Sequence, residues 1–208
     1  FEKIKNRNII KNKTITLFSF PPYQWTRRLP YSVFINSHSA FVKIAKNFPD
    51  VKVVIKPKYD FLVSKIWNEL MQEAFKKNKF NPKDFPNFSI SPEKNSHDLI
   101  LQSNIICAFN STVILEALVT NIPIILPYFN TLRKKSWDKK INFSEYKHLF
   151  HTPSDEDDLI KLLEKKAVKF YPDNKNRQEK KKLFKKYLHF YGESVLKEYV
   201  KTFKSLMK

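Results

Sequence analysis

Short apolar runs alternate along this chain with longer stretches of helical periodicity. Residues 14–20 (TITLFSF) form a run that Pro21-Pro22 stop, and residues 51–55 (VKVVI) form a second, ended by Lys56-Pro57. Residues 105–109 (IICAF) form a third, and 122–126 (IPIIL) a fourth, closed by Pro127. Runs of β-branched and aromatic residues bounded by proline or polar turns predict strands. The 105–109 run has no polar alternation, so its strand is expected to be covered on both faces. Residues 88–91 and 148–151 predict two further short strands.

Helical periodicity fills the intervals. Residues 61–75 place Phe61, Leu62, Ile66, Trp67, Leu70, Met71 and Phe75 on one face of an amphipathic helix. Residues 31–48 carry Phe34, Phe41, Ile44 and Ala45 and suit a helix in their second half. Ser96-His97-Asp98 caps a short helix over 99–103, and Asn110-Ser111-Thr112 caps another running through Val119. Ser154-Asp155-Glu156-Asp157 is a start signature for a helix over 155–167. Residues 175–191 and 193–207 predict two lysine-rich helices divided near Gly192, whereas 131–146 reads as a basic loop with some helix.

This alternation predicts an α/β, Rossmann-like fold: a mostly parallel sheet with helices on both faces, plus C-terminal helices. Residues 1–172 are expected to form the Rossmann-like domain. Residues 173–208 then form a helical extension, packed on it or on a missing N-terminal domain. The chain begins at Phe1 rather than at methionine, which also raises the expectation of a preceding domain. Ligands of parallel sheets sit outside the carboxyl ends of the strands. The segments after Phe20, Ile55 and Phe109 hold Arg27-Arg28, Lys56 to Tyr59, and Asn110-Ser111-Thr112, which are expected to converge on one crevice.

Composition narrows the chemistry. The chain contains one glycine, so neither a Walker A loop nor a G-x-G-x-x-G turn is possible. A nucleotide would have to be held by a helix start with hydroxyl side chains, where free backbone N–H groups and the dipole favour an anion. Ser111 and Thr112 supply hydroxyls at such a point. Glu116 lies about one turn further on, the single charge on a helix that is apolar nearly all round. A carboxylate in that setting needs a partner, and the diol of a ribose or sugar would supply one. The alternative is a plain N-cap followed by a solvated glutamate.

One cysteine, Cys107, sits among Ile105, Ile106, Ala108 and Phe109, so a buried, inert thiol in a reducing, cytoplasmic setting is expected. No His/Cys cluster has zinc-ligand spacing, and no apolar run reaches the length of a membrane span. Lys and Arg number 39 against 20 Asp and Glu, a net charge of +19, with an isoelectric point near 9.8. Such a balance favours an anionic partner, although lysine scattered over solvated faces produces it equally well. No nucleic-acid-binding motif is present. Peripheral association with an anionic membrane, at the inner face of the cytoplasmic membrane, stays open.

At residues 97–125 the sequence resembles a family. His97-Asp98-Leu99-Ile100-Leu101-Gln102-Ser103-Asn104 leads through Ile105-Ile106-Cys107-Ala108-Phe109-Asn110-Ser111-Thr112-Val113-Ile114-Leu115-Glu116-Ala117-Leu118 to Asn121-Ile122-Pro123-Ile124-Ile125. This is similar to the donor-binding, C-terminal domain of GT-B glycosyltransferases of the bacterial capsule and surface-polysaccharide type. Their pattern is a helix ending in Ser-Asp or Ser-Asn, a strand, a Ser-Thr pair, Glu-Ala, then a small residue, Pro and an apolar strand. Val53-Val54-Ile55-Lys56-Pro57 resembles a strand that ends in Lys-Pro-His-Pro in several of these families, and Tyr191-Gly192-Glu193 resembles their C-terminal Asp-Gly helix start. Here Lys58 stands where the histidine would be, Tyr191 replaces the aspartate, and Ile122 replaces a residue that is often glycine. UDP-sugar 2-epimerases and glycerophosphotransferases of wall polymers have similar folds.

The resemblance implies a glycosyltransferase that takes a nucleotide sugar as substrate, without a cofactor or metal, and passes the sugar to a glycan or lipid-linked acceptor. Asn110, Ser111, Thr112 and Glu116 would hold the donor, with Lys56, Lys58, Arg27 and Arg28 neutralising the departing phosphate. Trp25 and Tyr23 are candidates for stacking on a base or sugar. In GT-B enzymes the acceptor and catalytic base usually belong to the N-terminal domain. His97 is the candidate base within reach, a capping or surface histidine being the alternative. The competing classes are a non-catalytic or nucleic-acid- or anion-binding basic domain, a sugar-nucleotide epimerase and a polyol-phosphate transferase.

Overall fold

In the computed structural model the described residues are 13–22, 30–58, 64–118, 120–138, 141–168 and 176–188. The apolar runs form five strands: β1 (Lys13–Phe18), β2 (Val51–Lys56), β3 (Phe88–Ile90), β4 (Ile105–Ala108) and β5 (Ile124–Ile125). They make one sheet in the order β3-β2-β1-β4-β5, and every pair is parallel. The predicted strand at 148–151 reduces to a single bridge, His151 beside Ile125. Residues Ser144–Leu149 are instead wound into 3₁₀ turns.

The helices are α1 (Tyr31–Asn47), α2 (Lys65–Lys77), α3 (Ser96–Gln102), α4 (Val113–Ala117), α5 (Lys135–Asp138), α6 (Glu156–Val168) and α7 (Arg177–Leu188). Helix α1 is regular from Tyr31 onward, beyond the half that its apolar spacing indicated. Asn95, not Ser96, caps α3: its side chain accepts the His97 N–H at 2.8 Å. The predicted continuation of α7 through Tyr191, the helix beyond Gly192, and residues 61–63 lie outside the described residues.

Strand alternation separates two apolar layers. Ile15, Leu17, Val53, Ile55, Ile105, Cys107 and Ile125 point to one face, where α1, α2 and α6 cover them with Phe34, Phe41, Trp67, Met71, Leu159 and Leu163. Phe18, Val54, Ile106, Ala108 and Ile124 point to the other. There α3 contributes Leu99 and Ile100, α4 contributes Val113, Ile114 and Leu115, and α7 contributes Leu183. Thr16 also faces this second side, with its hydroxyl 2.6 Å from that of Ser103, which donates in turn to the Leu99 carbonyl. Cys107 is fully buried, and burial pushes its thiol well above the usual range, as expected for an inert core cysteine. Among the described residues no helix is long and apolar enough to cross a membrane.

Candidate functional site

The sheet order places a topological switch point between β1 and β4, because the chain leaves β1 toward β2 on one side and later returns to its other side. Loops diverge from such a point and leave a crevice at the carboxyl edge. The register aligns this edge closely. Phe18 lies beside Lys56 of β2 and beside Ala108 of β4, so those outer two residues sit about 10 Å apart, two strand spacings, with β1 between them. The pairing therefore brings the β1, β2 and β4 ends side by side, while Arg27, Arg28 and Tyr59 of the segments expected to converge there lie outside the described residues.

From Ala108 the chain passes through Phe109 into Asn110, whose φ of 48° is left-handed. Asparagine tolerates that conformation better than other side-chain-bearing residues. The Asn110 side-chain oxygen accepts the backbone N–H of Asn142 at 2.8 Å. Ser111 Oγ accepts the Val113 N–H at 3.4 Å, whereas Thr112 makes no side-chain capping bond and is exposed. The helix that follows is shorter than expected. Val113–Ala117 is five residues, and Thr120 closes it by donating its hydroxyl to the Ala117 carbonyl at 2.7 Å. β-Branched Val113 and Ile114 and the downstream Pro123 give little support for more turns. A helix this short adds little dipole, so an anion at this loop would have to be held by the loop N–H groups and the two hydroxyls.

Glu116 projects from α4 with 32% of its side chain exposed, and its Oε2 lies 3.3 Å from Nδ1 of His97. That oxygen is itself buried and has no aligned hydrogen bond. His97, in the first turn of α3, is 72% exposed. The structure thus joins the candidate base and the candidate diol acceptor, which lie 19 positions apart in sequence. The partner that a carboxylate on this apolar helix requires is an imidazole, together with partial access to solvent.

The cations are placed differently. Lys56, at the end of β2, donates its ammonium to the carbonyls of Pro92 at 2.5 Å and Pro57 at 3.3 Å. Partial burial pushes its pKa below the usual lysine value, and Glu93 acts in the opposite sense. Two of its three donors are thus engaged in joining the β2 and β3 ends. Lys58 is exposed just beyond. Arg27, Arg28, Trp25 and Tyr23 lie outside the described residues.

One polar group at this edge was missed by sequence reading. Trp67 Nε1 donates to Ser19 Oγ at 3.0 Å, and Ser19 lies 2.9 Å from His38 Nε2. The His38 Nδ1 is 2.8 Å from the Phe34 carbonyl, so Nδ1 carries the proton and the Ser19 hydroxyl donates to Nε2. Every member is buried. Burial lowers the His38 pKa to about 4, so the ring is neutral and the chain of bonds fixes the turn leaving β1. The i to i+4 spacing from Phe34 to His38 offered a signal; the link to Ser19 and Trp67 required the fold.

The chain matches no protein-family model, and no curated protein matches it. Among solved structures, S. aureus MnaA in its UDP co-structure aligns with a TM-score of 0.52 at 12% identity, over 88% of this chain and 47% of that one. What is shared is the fold. The UDP-GlcNAc 2-epimerase from Methanocaldococcus jannaschii gives a TM-score of 0.47 at 16% identity, over 81% of this chain and 41% of its own. S. aureus TarM, solved with fondaparinux, α-GlcNAc-glycerol and UDP, gives 0.43 at 12% identity, over 94% and 36%. This chain spans less than half the length of each. The Rossmann-like α/β architecture expected from the sequence is present, and the MnaA structure shares it.

Proposed function

We propose that this chain is the donor-binding domain of a GT-B glycosyltransferase, which moves a sugar from a nucleotide donor to a surface polysaccharide or lipid-linked acceptor. The observation that carries the reading is the β4 loop at the switch point: Asn110-Ser111-Thr112 at the carboxyl edge, followed within one turn by the partly exposed Glu116 against His97.

In this reading the loop N–H groups and the Ser111 and Thr112 hydroxyls bind donor phosphate oxygens, and Glu116 accepts hydrogen bonds from a ribose or sugar diol. Transfer breaks the bond between the anomeric carbon and phosphate oxygen, and the electron pair stays on the phosphate. Donors and cations fixed around that phosphate stabilise the charge as it develops. Lys56, Lys58, Arg27 and Arg28 are the proposed cations, with Lys56 limited to one remaining donor. His97, its Nδ1 directed at Glu116, is the proposed proton acceptor for the attacking hydroxyl. The nucleotide sugar is substrate, and neither a cofactor nor a metal enters the proposal. The same donor site would serve a sugar-nucleotide epimerase or a polyol-phosphate transferase, which acceptor dependence of product formation separates.

The test is calorimetric titration of the chain with UDP, CMP, GDP and CDP and their sugars. One of these should bind, and Ser111→Ala and Glu116→Ala should each weaken it roughly tenfold, about 1.4 kcal/mol, with the fold intact. Absence of binding at millimolar concentration, or unaltered affinity in both variants, would overturn the assignment.

A further inference from the structure

Four described non-glycine residues have left-handed backbones: Lys79, Asn110, Phe143 and Asn176. Lys79 lies just past the end of α2, where left-handed caps are ordinary, and Asn176, just before α7, is an asparagine, which tolerates this region. Asn110 and Phe143 form a connected pair, since the N–H of Asn142 donates to the Asn110 side chain at 2.8 Å. Phe143 is the third residue of a turn closed by the Ser144 N–H on the Ile141 carbonyl at 3.3 Å. Its φ of 65° and ψ of 15° fit a type II turn, in which that position normally holds glycine. A bulky aromatic residue held there is a genuine outlier, and such conformations persist where the surroundings over-determine them.

Those surroundings are visible. The Phe143 ring is buried in the apolar layer that includes Ile114, Leu115, Leu118 and Leu183. It meets the Tyr187 ring of α7 edge-on, with centroids 5.2 Å apart. The neighbouring Lys186 donates to Tyr146 Oη at 2.6 Å and lies 3.4 Å from Glu145. A continuous path therefore runs from α7 through Phe143 and Asn142 to Asn110. Glycine would relieve the backbone at 143 but would leave the turn without an anchor.

We infer that the Ile141-Asn142-Phe143-Ser144 turn is a clamp, pinned by α7, that sets the conformation of the Asn110-Ser111-Thr112 loop. Asn142, Phe143 and Tyr187 are accordingly positioning residues, which act on the loop without touching a ligand. The functional consequence, control of nucleotide affinity, rests on the donor-site reading above, whereas the clamp itself does not.

Hydrogen exchange on the full chain tests the clamp directly. The amides of Ile114, Leu115 and Glu116 donate to the carbonyls of Ser111 and Thr112, so they report loop order. Asn110→Gly keeps the left-handed backbone and removes the acceptor; Asn110→Asp keeps both. Tenfold faster exchange of these amides is expected in Asn110→Gly and Phe143→Gly, near-native exchange in Asn110→Asp, and no change at the β1 and β2 amides. Tyr187→Ala, at a site 43% exposed, reports the α7 link even if Phe143→Gly fails to fold. Unchanged exchange in both Asn110→Gly and Tyr187→Ala overturns the clamp. Titration with UDP, CMP, GDP and CDP supplies the second arm. Faster exchange with a tenfold loss of affinity supports the positioning role, and faster exchange with unchanged affinity overturns it. If no nucleotide binds the unmodified chain, the donor reading falls and the clamp is judged on exchange alone.

Discussion

The two faces of the sheet are built differently. One lies under α1, α2 and α6, of 17, 13 and 13 residues. The other lies under α3 and α4, of 7 and 5 residues, with α7 and the turns around Phe143 filling the remainder. On the long-helix face the polar groups engage one another: Ser19, His38 and Trp67 form a closed chain of bonds, and Glu156 accepts from Ser39 while pairing with Lys77. On the short-helix face Glu116 retains an oxygen without an aligned bond, and Thr112 keeps its hydroxyl out of any cap. Short helices expose more of their terminal N–H and C=O groups relative to length, and sites are drawn from less tightly held regions. The first face reads as scaffold, and the second carries the loop that the proposed donor site would use.

Core truncation on each side tests this contrast with the largest expected effect. Phe34 is fully buried, stacked on His38 with centroids 3.8 Å apart and edge-on to Phe20 and Trp67. Phe34→Ala should cost about 3–5 kcal/mol, a large share of the roughly 5–15 kcal/mol that holds a domain together. Leu115→Ala, under the short-helix layer, should cost about 2–3 kcal/mol. Urea midpoints measure both. A Leu115→Ala loss equal to or above that of Phe34→Ala would erase the distinction between the faces.

Acid provides the next largest effect, and it belongs to the scaffold. The His38 pKa is lowered to about 4 by burial, against 6.5 when free. Above pH 6.5 both folded and unfolded chains hold the ring neutral, and His38 contributes no pH dependence. As pH falls below 6.5 the unfolded chain takes up a proton that the folded chain refuses, so stability declines until about pH 4, where the folded ring protonates too. The loss over that window is about 3 kcal/mol. His38→Gln should be less stable at pH 7 but should lose this component of the slope, as read from urea midpoints between pH 7 and 4. An unchanged slope would place the acid sensitivity elsewhere.

Much of the scaffold was legible in the sequence, and the site less so. The runs at β1, β2 and β4 are apolar enough to announce buried strands, and proline marks the ends of β1 and β2, so the parallel sheet and its carboxyl edge followed. The residues named in the β4 loop do sit on that edge. Side-chain periodicity carries no record of register, so the alignment of Lys56, Phe18 and Ala108 was not readable. Nor was the His97–Glu116 contact, which depends on how α3 lies beside α4. The length of α4 was overestimated because an apolar sequence looks helical whether or not its ends are satisfied. Phe143 defeated the reading for a related reason: a turn position that calls for glycine holds phenylalanine, and only tertiary packing explains it.

Helix starts give the smallest and most local test of the two faces. On the scaffold side Asp155 caps α6 by accepting the Asp158 N–H at 2.8 Å, while Asp158 accepts the Ser154 N–H at 2.9 Å. The Asp158 N–H holds the Asp155 carboxyl below the usual carboxylate range, with Ser154 assisting. Asp155→Ala should therefore lower the melting temperature by about 2–4 °C. On the site side Thr112 stands at the start of α4 without a capping bond. Thr112→Ala removes no such bond, so its melting temperature should stay within about 1 °C of the native value. If the β4 loop binds a donor phosphate, Thr112→Ala should weaken nucleotide binding several-fold, and Asp155→Ala should leave affinity intact. Thermal melts and titrations on this pair separate the two roles: a residue spent on holding its helix shows in the melt, and one kept free for a ligand shows in the titration. Equal melting losses in the two variants would mean that Thr112 is structural and that the faces do not divide the labour in this way.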